Sequence, residues 1–371
     1  MILIILFIAA CFLAYTNGAN DNFKGVATLF GSRTTNYKKA INWATITTLA
    51  GSVAAIFLAD ALVKNFSGKG LVPNELIQNP IFAISIALGA ALTVLLATKI
   101  GMPISTTHSL VGALFGAGVM AIGSEFNFDK LGKVFLIPLI VSPLMAALLS
   151  FLMYLIFRYF RKKTGITKKS CLCVTETTTK TQVSSINPMV AMDSKLSTVI
   201  CKNGCDNTYV GRMMGLSAQK VLDGLHYLSS GVVSFARGLN DTPKIVGLLV
   251  IINAMDIKWG MIAVAITMAI GGLISAKKVG ITISQKITPM NSGQGFTANM
   301  ITGLLVTTAS VHGLPVSTTH VSVGSIFGIG TATKKANVKM ISKILLSWVL
   351  TLPTAAMLSG LIFLLLEWIG V

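Results

Sequence analysis

Apolar residues run almost unbroken through 1–16, 40–62, 81–99, 104–123 and 134–157, and again through 216–236, 244–255, 259–276, 296–311, 319–332 and 341–369. Many of these runs approach the roughly 20 residues a helix needs to cross a bilayer, which predicts a bundle of membrane helices. Residues 158–212 break the pattern with the basic "RYFRKKTGITKKS" and the hydroxyl-rich "VTETTTKTQVSS". The expected organisation is a first membrane half (1–157), a polar linker (158–212) and a second membrane half (213–371). The opening run "MILIILFIAACFLAY" has no basic flank and no small-residue cleavage site, and it leads straight into "TNGAND". It reads as a retained first helix rather than a signal peptide.

The two halves repeat each other. "GANDNFKG" at 18–25 returns as "GLNDTPKI" at 238–245, a step of 220 residues. "GMPISTTHSLVG" at 101–112 returns as "GLPVSTTHVSVG" at 313–324, a step of 212, with Gly, Pro, Ser, Thr, Thr, His, Val and Gly shared. Two motifs in the same order at nearly the same step indicate an internal duplication.

Composition supports the membrane reading. The 371 residues are 53% hydrophobic and 11% charged, with a mean hydropathy of +0.76, whereas soluble domains carry about 25% charged residues. The formal charge of +18 sits mostly in loops, which suits an anionic inner leaflet rather than nucleic acid. Basic clusters at Arg33, Lys38 and Lys39, at Arg158–Lys169, at Lys277, Lys278 and Lys286, and at Lys334, Lys335 and Lys339 are placed inside. Loops 63–80, 124–133 and 254–258, with fewer basic residues, are placed outside. This closes only if each Ser-Thr-Thr motif is the tip of a hairpin (81–123 and 296–332), the first entering from outside and the second from inside. The expected fold is therefore an all-α polytopic membrane protein. It has two inverted-topology repeats with broken helices and two Ser-Thr-Thr helical hairpins, the pattern of secondary transporters. The expected location is the plasma membrane, multi-pass, with the linker cytoplasmic.

At each tip Gly-x-Pro interrupts one helix, and Ser or Thr can cap the next. A buried helix N-terminus attracts anions. Ser105, Thr106 and Thr107, with Ser317, Thr318 and Thr319, add hydroxyl donors. Two tips face to face would suit a tetrahedral oxyanion, phosphate or sulfate. Taken singly, the same hydroxyls could simply cap their helices or bond back to helix carbonyls. His108 and His320 point elsewhere on a helix and read as packing residues; Gly112, Gly116, Gly324 and Gly328 read as close-packing positions.

In the other motif pair, Gly18 and Gly238 are expected to loosen a helix and Pro243 to restart one, with Asp21 and Asp241 at the breaks. Intramembrane carboxylates need partners and mark functional sites. Asn20, Asp21, Asn240 and Asp241 could coordinate Na⁺, or the carboxylates could carry protons. Lys24 and Lys244 lie three residues on. They could pair with the carboxylates or help hold the anion. A carboxylate beside the anion would accept a hydrogen bond from protonated phosphate and repel sulfate.

These motifs resemble the PiT inorganic phosphate transporters, a family marked by paired Gly-Ala-Asn-Asp and Gly-x-Pro-x-Ser-Thr-Thr-His motifs. The run "ITPMNSGQGFTANMITGLLV" (287–306) is similar to the family's approach to its second hairpin. The resemblance implies cation-coupled phosphate symport, with Na⁺ or H⁺ as the coupling ion; the expected function is phosphate import by alternating access, with Na⁺ favoured over H⁺. The resemblance also implies that the Asn-Asp and Ser-Thr-Thr segments form the transport site. The residues themselves lead us to expect phosphate on the Ser-Thr-Thr tips with Lys24 and Lys244, and the cation on Asn20, Asp21, Asn240 and Asp241. No cofactor or metal centre is implied. The partners are inorganic phosphate, the coupling cation, membrane lipid and a second copy in a homodimer. Many members carry Asn where this chain has Lys24 and Lys244, and Leu239 replaces the usual Ala.

Other readings are weaker. An oxyanion permease for sulfate shares the fold expectation. An intramembrane hydrolase would need a nucleophile elbow, which is absent, and has no use for two copies of its serine. A passive channel conflicts with two intramembrane carboxylates. Cys171, Cys173, Cys201 and Cys205 have no standard zinc spacing and read as reduced thiols. Asp223, His226, Trp348 and Trp368 are assigned no site role.

Overall fold

The computed structural model describes residues 1–164, 167–169, 173–175, 197–199, 208–210, 212–213, 216–250 and 256–370. The fold is carried by longer helices that fall into two sets of five. The first set is α1 (Ile2–Asp21), α2 (Tyr37–Leu58), α3 (Pro80–Ile100), α4 (Thr106–Ile122) and α5 (Ile137–Lys163). The second is α6 (Ala218–Val246), α7 (Ile257–Ser275), α8 (Ser292–Val311), α9 (Thr318–Thr333) and α10 (Val338–Ile369). Among the described residues, seven helical stretches are long and apolar enough to cross a membrane. The first part of the expected linker, 158–163, continues helix α5, and beyond Thr164 only short paired strands of it are described. Cys171, Cys201 and Cys205 lie outside the described residues, and of Cys173 only the backbone is described.

The helix boundaries follow local chemistry. Asn36 and Asn79 cap α2 and α3 by accepting the amides of Lys39 and Ile81, and Pro80 opens α3 where its missing N–H costs nothing. Gly101 and Gly313, at φ 74° and 70°, end the first arms of the two hairpins in the left-handed region. Asn291 and Gln294 form a reciprocal capping box at the start of α8. On α5 and α10, Ile140, Leu144, Leu148, Val349, Met357 and Leu361 are exposed. Such a face suits lipid rather than water.

The contacts repeat between the sets. Helix α1 packs on α3 and α7, and its counterpart α6 packs on α8 and α2. Helix α4 packs on α10, and α9 packs on α5. The second members of these pairs come mostly from the opposite half, so the halves interlock instead of lying side by side. The crossings are made by glycines. A Cβ at Gly18 would sit 1.9 Å from the Met268 carbonyl oxygen, and one at Gly238 would sit 2.1 Å from that of Thr48. Gly112 and Gly116 meet the carbonyls of Leu352 and Ala356, and Gly324 and Gly328 those of Pro143 and Ala147. The close-packing role expected of these four is therefore present.

Three expectations are corrected. Gly18 and Gly238 do not loosen their helices; they let neighbouring backbones approach. Helix α1 does end at Asp21, followed by a 3₁₀ turn at Lys24–Val26 and a short helix at Ala27–Gly31. Its counterpart α6 does not break at Asp241: it continues through Pro243 to Val246 and absorbs the start of the run at 244–255. The hairpins' second arms begin at Thr106 and Thr318, three residues after Pro103 and Pro315, with the prolines in the extended approach to each cap.

Candidate functional site

The two tips meet inside the protein. Ser105 and Ser317 are the N-caps of α4 and α9, each accepting the amide three residues on, His108 at 3.0 Å and His320 at 3.2 Å. These serines do what serine does at a helix start. The threonines reach across. Thr107 Oγ1 donates to the Val316 carbonyl at 3.2 Å, and Thr319 Oγ1 donates to the Ile104 carbonyl at 2.9 Å. Each tip's hydroxyl thus grips the other tip's backbone in a crossed pair. Thr106 donates to Asp21 Oδ2 at 3.3 Å, and Thr318 is buried.

The lysines cross in the same sense. Lys24 Nζ donates to Asp21 Oδ1 and Thr319 Oγ1, and to the Ile104 carbonyl at 2.7 Å. Lys244 Nζ donates to Thr107 Oγ1 at 2.8 Å and to the Val316 carbonyl at 2.6 Å, and lies 3.7 Å from Asp241 Oδ1. The expected pairing with the carboxylates is present, and each ammonium touches a tip hydroxyl as well.

The asparagines hold the tips to their own halves. Asn20 donates to Thr98 Oγ1 at 2.9 Å and the Met102 carbonyl at 3.1 Å, and accepts the Ile104 amide at 3.2 Å. Asn240 donates to the Val316 carbonyl at 3.2 Å and to Asp241 Oδ1 at 3.0 Å, and accepts the Ser310 hydroxyl at 3.1 Å. Their oxygens are therefore engaged by protein donors.

Arg237 was passed over in the sequence. It is 1% exposed. Its guanidinium donates to Asn17 Oδ1 at 2.5 Å and Asn22 Oδ1 at 3.0 Å, and Nε lies 3.6 Å from Asp241 Oδ2. Asn17 in turn donates to Asp241 Oδ2 at 3.2 Å. The signal was available: the step of 220 that pairs Gly18 with Gly238 also pairs Asn17 with Arg237. A charge there breaks the repeat.

The histidines pack behind the tips, as expected. The rings of His108 and His320 lie 4.4 Å apart, and His320 stacks on Trp348 at 3.8 Å. Trp348 is more than a membrane-helix aromatic, because its indole N–H donates to the Pro103 carbonyl at 3.2 Å and so braces the first tip. A second polar cluster lies away from the tips. His226 Nε2 meets Thr28 Oγ1 at 2.9 Å, and Asp223 accepts the Ser292 hydroxyl at 2.6 Å. Nearby, the Tyr209 hydroxyl donates to Asn291 at 3.0 Å, and burial pushes the Tyr209 phenol up to about 12.

Comparison with known proteins identifies the family. Residues 17–359 match the model of the phosphate transporter family. A protein of Pyrococcus furiosus named "Putative phosphate permease" is 28% identical, over 98% of this chain and 95% of its own length. A Bacillus subtilis protein named "Probable low-affinity inorganic phosphate transporter" is 25% identical, over 100% and 99%. A solved structure titled "The sodium-dependent phosphate transporter" superposes with a TM-score of 0.77 at 25% identity, covering 99% of each chain. With the paired motifs buried at one place and the family model spanning both halves, the chain belongs to the phosphate transporter family.

Proposed function

We propose that this chain imports inorganic phosphate across the plasma membrane as a cation-coupled symporter working by alternating access. The observation that carries the reading is the crossed pair of tips. Thr107 and Thr319, one from each half, bring hydroxyls and lysine ammoniums to a single buried place. Helices α4 and α9 begin there at Thr106 and Thr318, so their positive ends lie within the protein. Asp21 and Asp241 stand beside the same groups and put two carboxylates, able to carry a proton, at the site. They also favour an oxyanion that still carries protons over sulfate, which carries none.

Loop charge supports opposite orientations for the two halves, with the linker in the cytoplasm. Two inverted halves that meet at their tips can rock about the site and expose it to each side in turn. A hydrolase reading gains nothing from the serines. Ser105 and Ser317 spend their oxygens on helix caps, and neither is activated by a histidine ring in the contacts above.

The test is uptake of labelled phosphate into proteoliposomes containing the purified chain. Thr107→Ala and Thr319→Ala should each lower the initial rate tenfold or more in protein that remains monodisperse. Tenfold excess sulfate should leave the rate within twofold. Accumulation of sulfate in preference to phosphate, or full activity with both threonines replaced, would sink the reading.

A further inference from the structure

We propose that the ammonium groups of Lys24 and Lys244 are resident cations: they fill the oxygen-lined positions a coupling Na⁺ would take, so phosphate binds and is carried without Na⁺. The inference rests on the phosphate reading above; it takes Na⁺ out of the coupling role stated there and leaves H⁺ as the coupling cation.

The argument starts from the donor set. Lys24 Nζ is held by a carboxylate oxygen (Asp21), a main-chain carbonyl (Ile104, 2.7 Å) and a hydroxyl (Thr319). Lys244 Nζ is held by a carbonyl (Val316, 2.6 Å) and a hydroxyl (Thr107, 2.8 Å), with the Asp241 carboxylate at 3.7 Å. Carboxylate, freed carbonyl and hydroxyl are the ligands a hard monovalent cation takes in a membrane site. The carbonyls are distant in sequence, 80 residues from Lys24 and 72 from Lys244, so each ammonium is placed by tertiary structure and not by its local turn. A tethered ammonium also competes at a high effective concentration, which dissolved Na⁺ must overcome.

Charge gives an independent argument. The buried charged side chains among the described residues are Asp21, Lys24, Arg237, Asp241 and Lys244, three cations against two carboxylates. The anion-free site is thus one positive charge in excess, and one negative charge from an anion closes the balance. An added Na⁺ would raise the excess in a place with little water to screen it. With both lysines neutral, the site would hold two carboxylates against one guanidinium. An anion would then need imported cations.

The experiment compares ions on the whole chain. Initial phosphate uptake into proteoliposomes, and equilibrium binding of labelled phosphate to the detergent-purified protein, are measured in choline and in sodium buffers. Rates and affinities should agree within twofold. The double variant Lys24→Asn with Lys244→Asn exchanges each ammonium for a neutral carbonyl oxygen donor. Its phosphate affinity should fall at least tenfold in choline and recover at least threefold when Na⁺ is added. Should that variant not fold, the comparison on the unaltered chain still decides. Unaltered protein that needs Na⁺ for a tenfold faster uptake or a tenfold tighter binding overturns the inference alone. So does a folded double variant that binds phosphate normally in choline. Absence of phosphate binding and uptake in every ion condition overturns the phosphate reading and this inference with it.

Discussion

Arg237 has almost no surface left to solvent and takes its partners from both halves: Asn17 and Asn22 before it, Asp241 one helical turn after it. Removing one member of such a buried set leaves the others unpaired. Arg237→Met is therefore expected to cost about 3–5 kcal/mol. Arg237→Lys should recover only part of it, because an ammonium cannot bridge two amides with a planar fork. Thermal unfolding in detergent measures both. If Arg237→Met melts within 2 °C of the unaltered chain, the guanidinium is not part of the frame. The candidate-site residues were legible in sequence because each motif occurs twice. Arg237 was not, because what matters there is a departure from the repeat, and its partner Asn17 lies 220 residues away.

The glycine crossings set the spacing of the helices. At Gly116 and Gly328 a Cβ would sit 2.0 Å and 2.1 Å from the backbone oxygens of Ala356 and Ala147. Backbone cannot rotate aside as a side chain can. Gly116→Val and Gly328→Val should each force α4 from α10 or α9 from α5, at about 3 kcal/mol or more. Gly132→Ala meets nothing within 4 Å and serves as the control. Size-exclusion behaviour and melting temperature report the outcome, and unchanged profiles for both valine variants would refute the crossing argument. The small-residue spacing made these positions readable from sequence as close-packing sites, but not which helix each one meets. The fate of Asp241 was not readable. Copied motifs suggested copied breaks, yet α6 runs on through Pro243. A proline costs a helix about 3 kcal/mol, and the packing of α6 between α2 and α8 outweighs it. The chain turns after α1 although α1 is packed between α3 and α7 in the same way, and nothing in the structure explains that difference.

Interlocking decides how the whole molecule is assembled. The sequence pattern displayed two halves and a linker, but the pairing of α4 with α10 and α9 with α5 depends on contacts no local pattern encodes. Since each half packs its hairpin against the other's last helix, segments 1–164 and 208–371 expressed as separate chains should be degraded alone. Expressed together they should co-purify and restore phosphate uptake. A stable, monodisperse first half on its own would contradict the interlock. The crossed bonds at the tips also carry a timetable. Lys24 finds the Thr319 hydroxyl 295 residues later. At about 5–20 residues per second, a ribosome needs roughly 15–60 s to cover a separation of 295 residues. For that interval Asp21, at the end of the first helix, and Lys24, in the turn after it, have only first-half partners: each other, and later Thr106 and Ile104. The ion pair between Asp21 and Lys24, three residues apart and needing nothing from the second half, is what lets the nascent first helix wait for the rest of the chain.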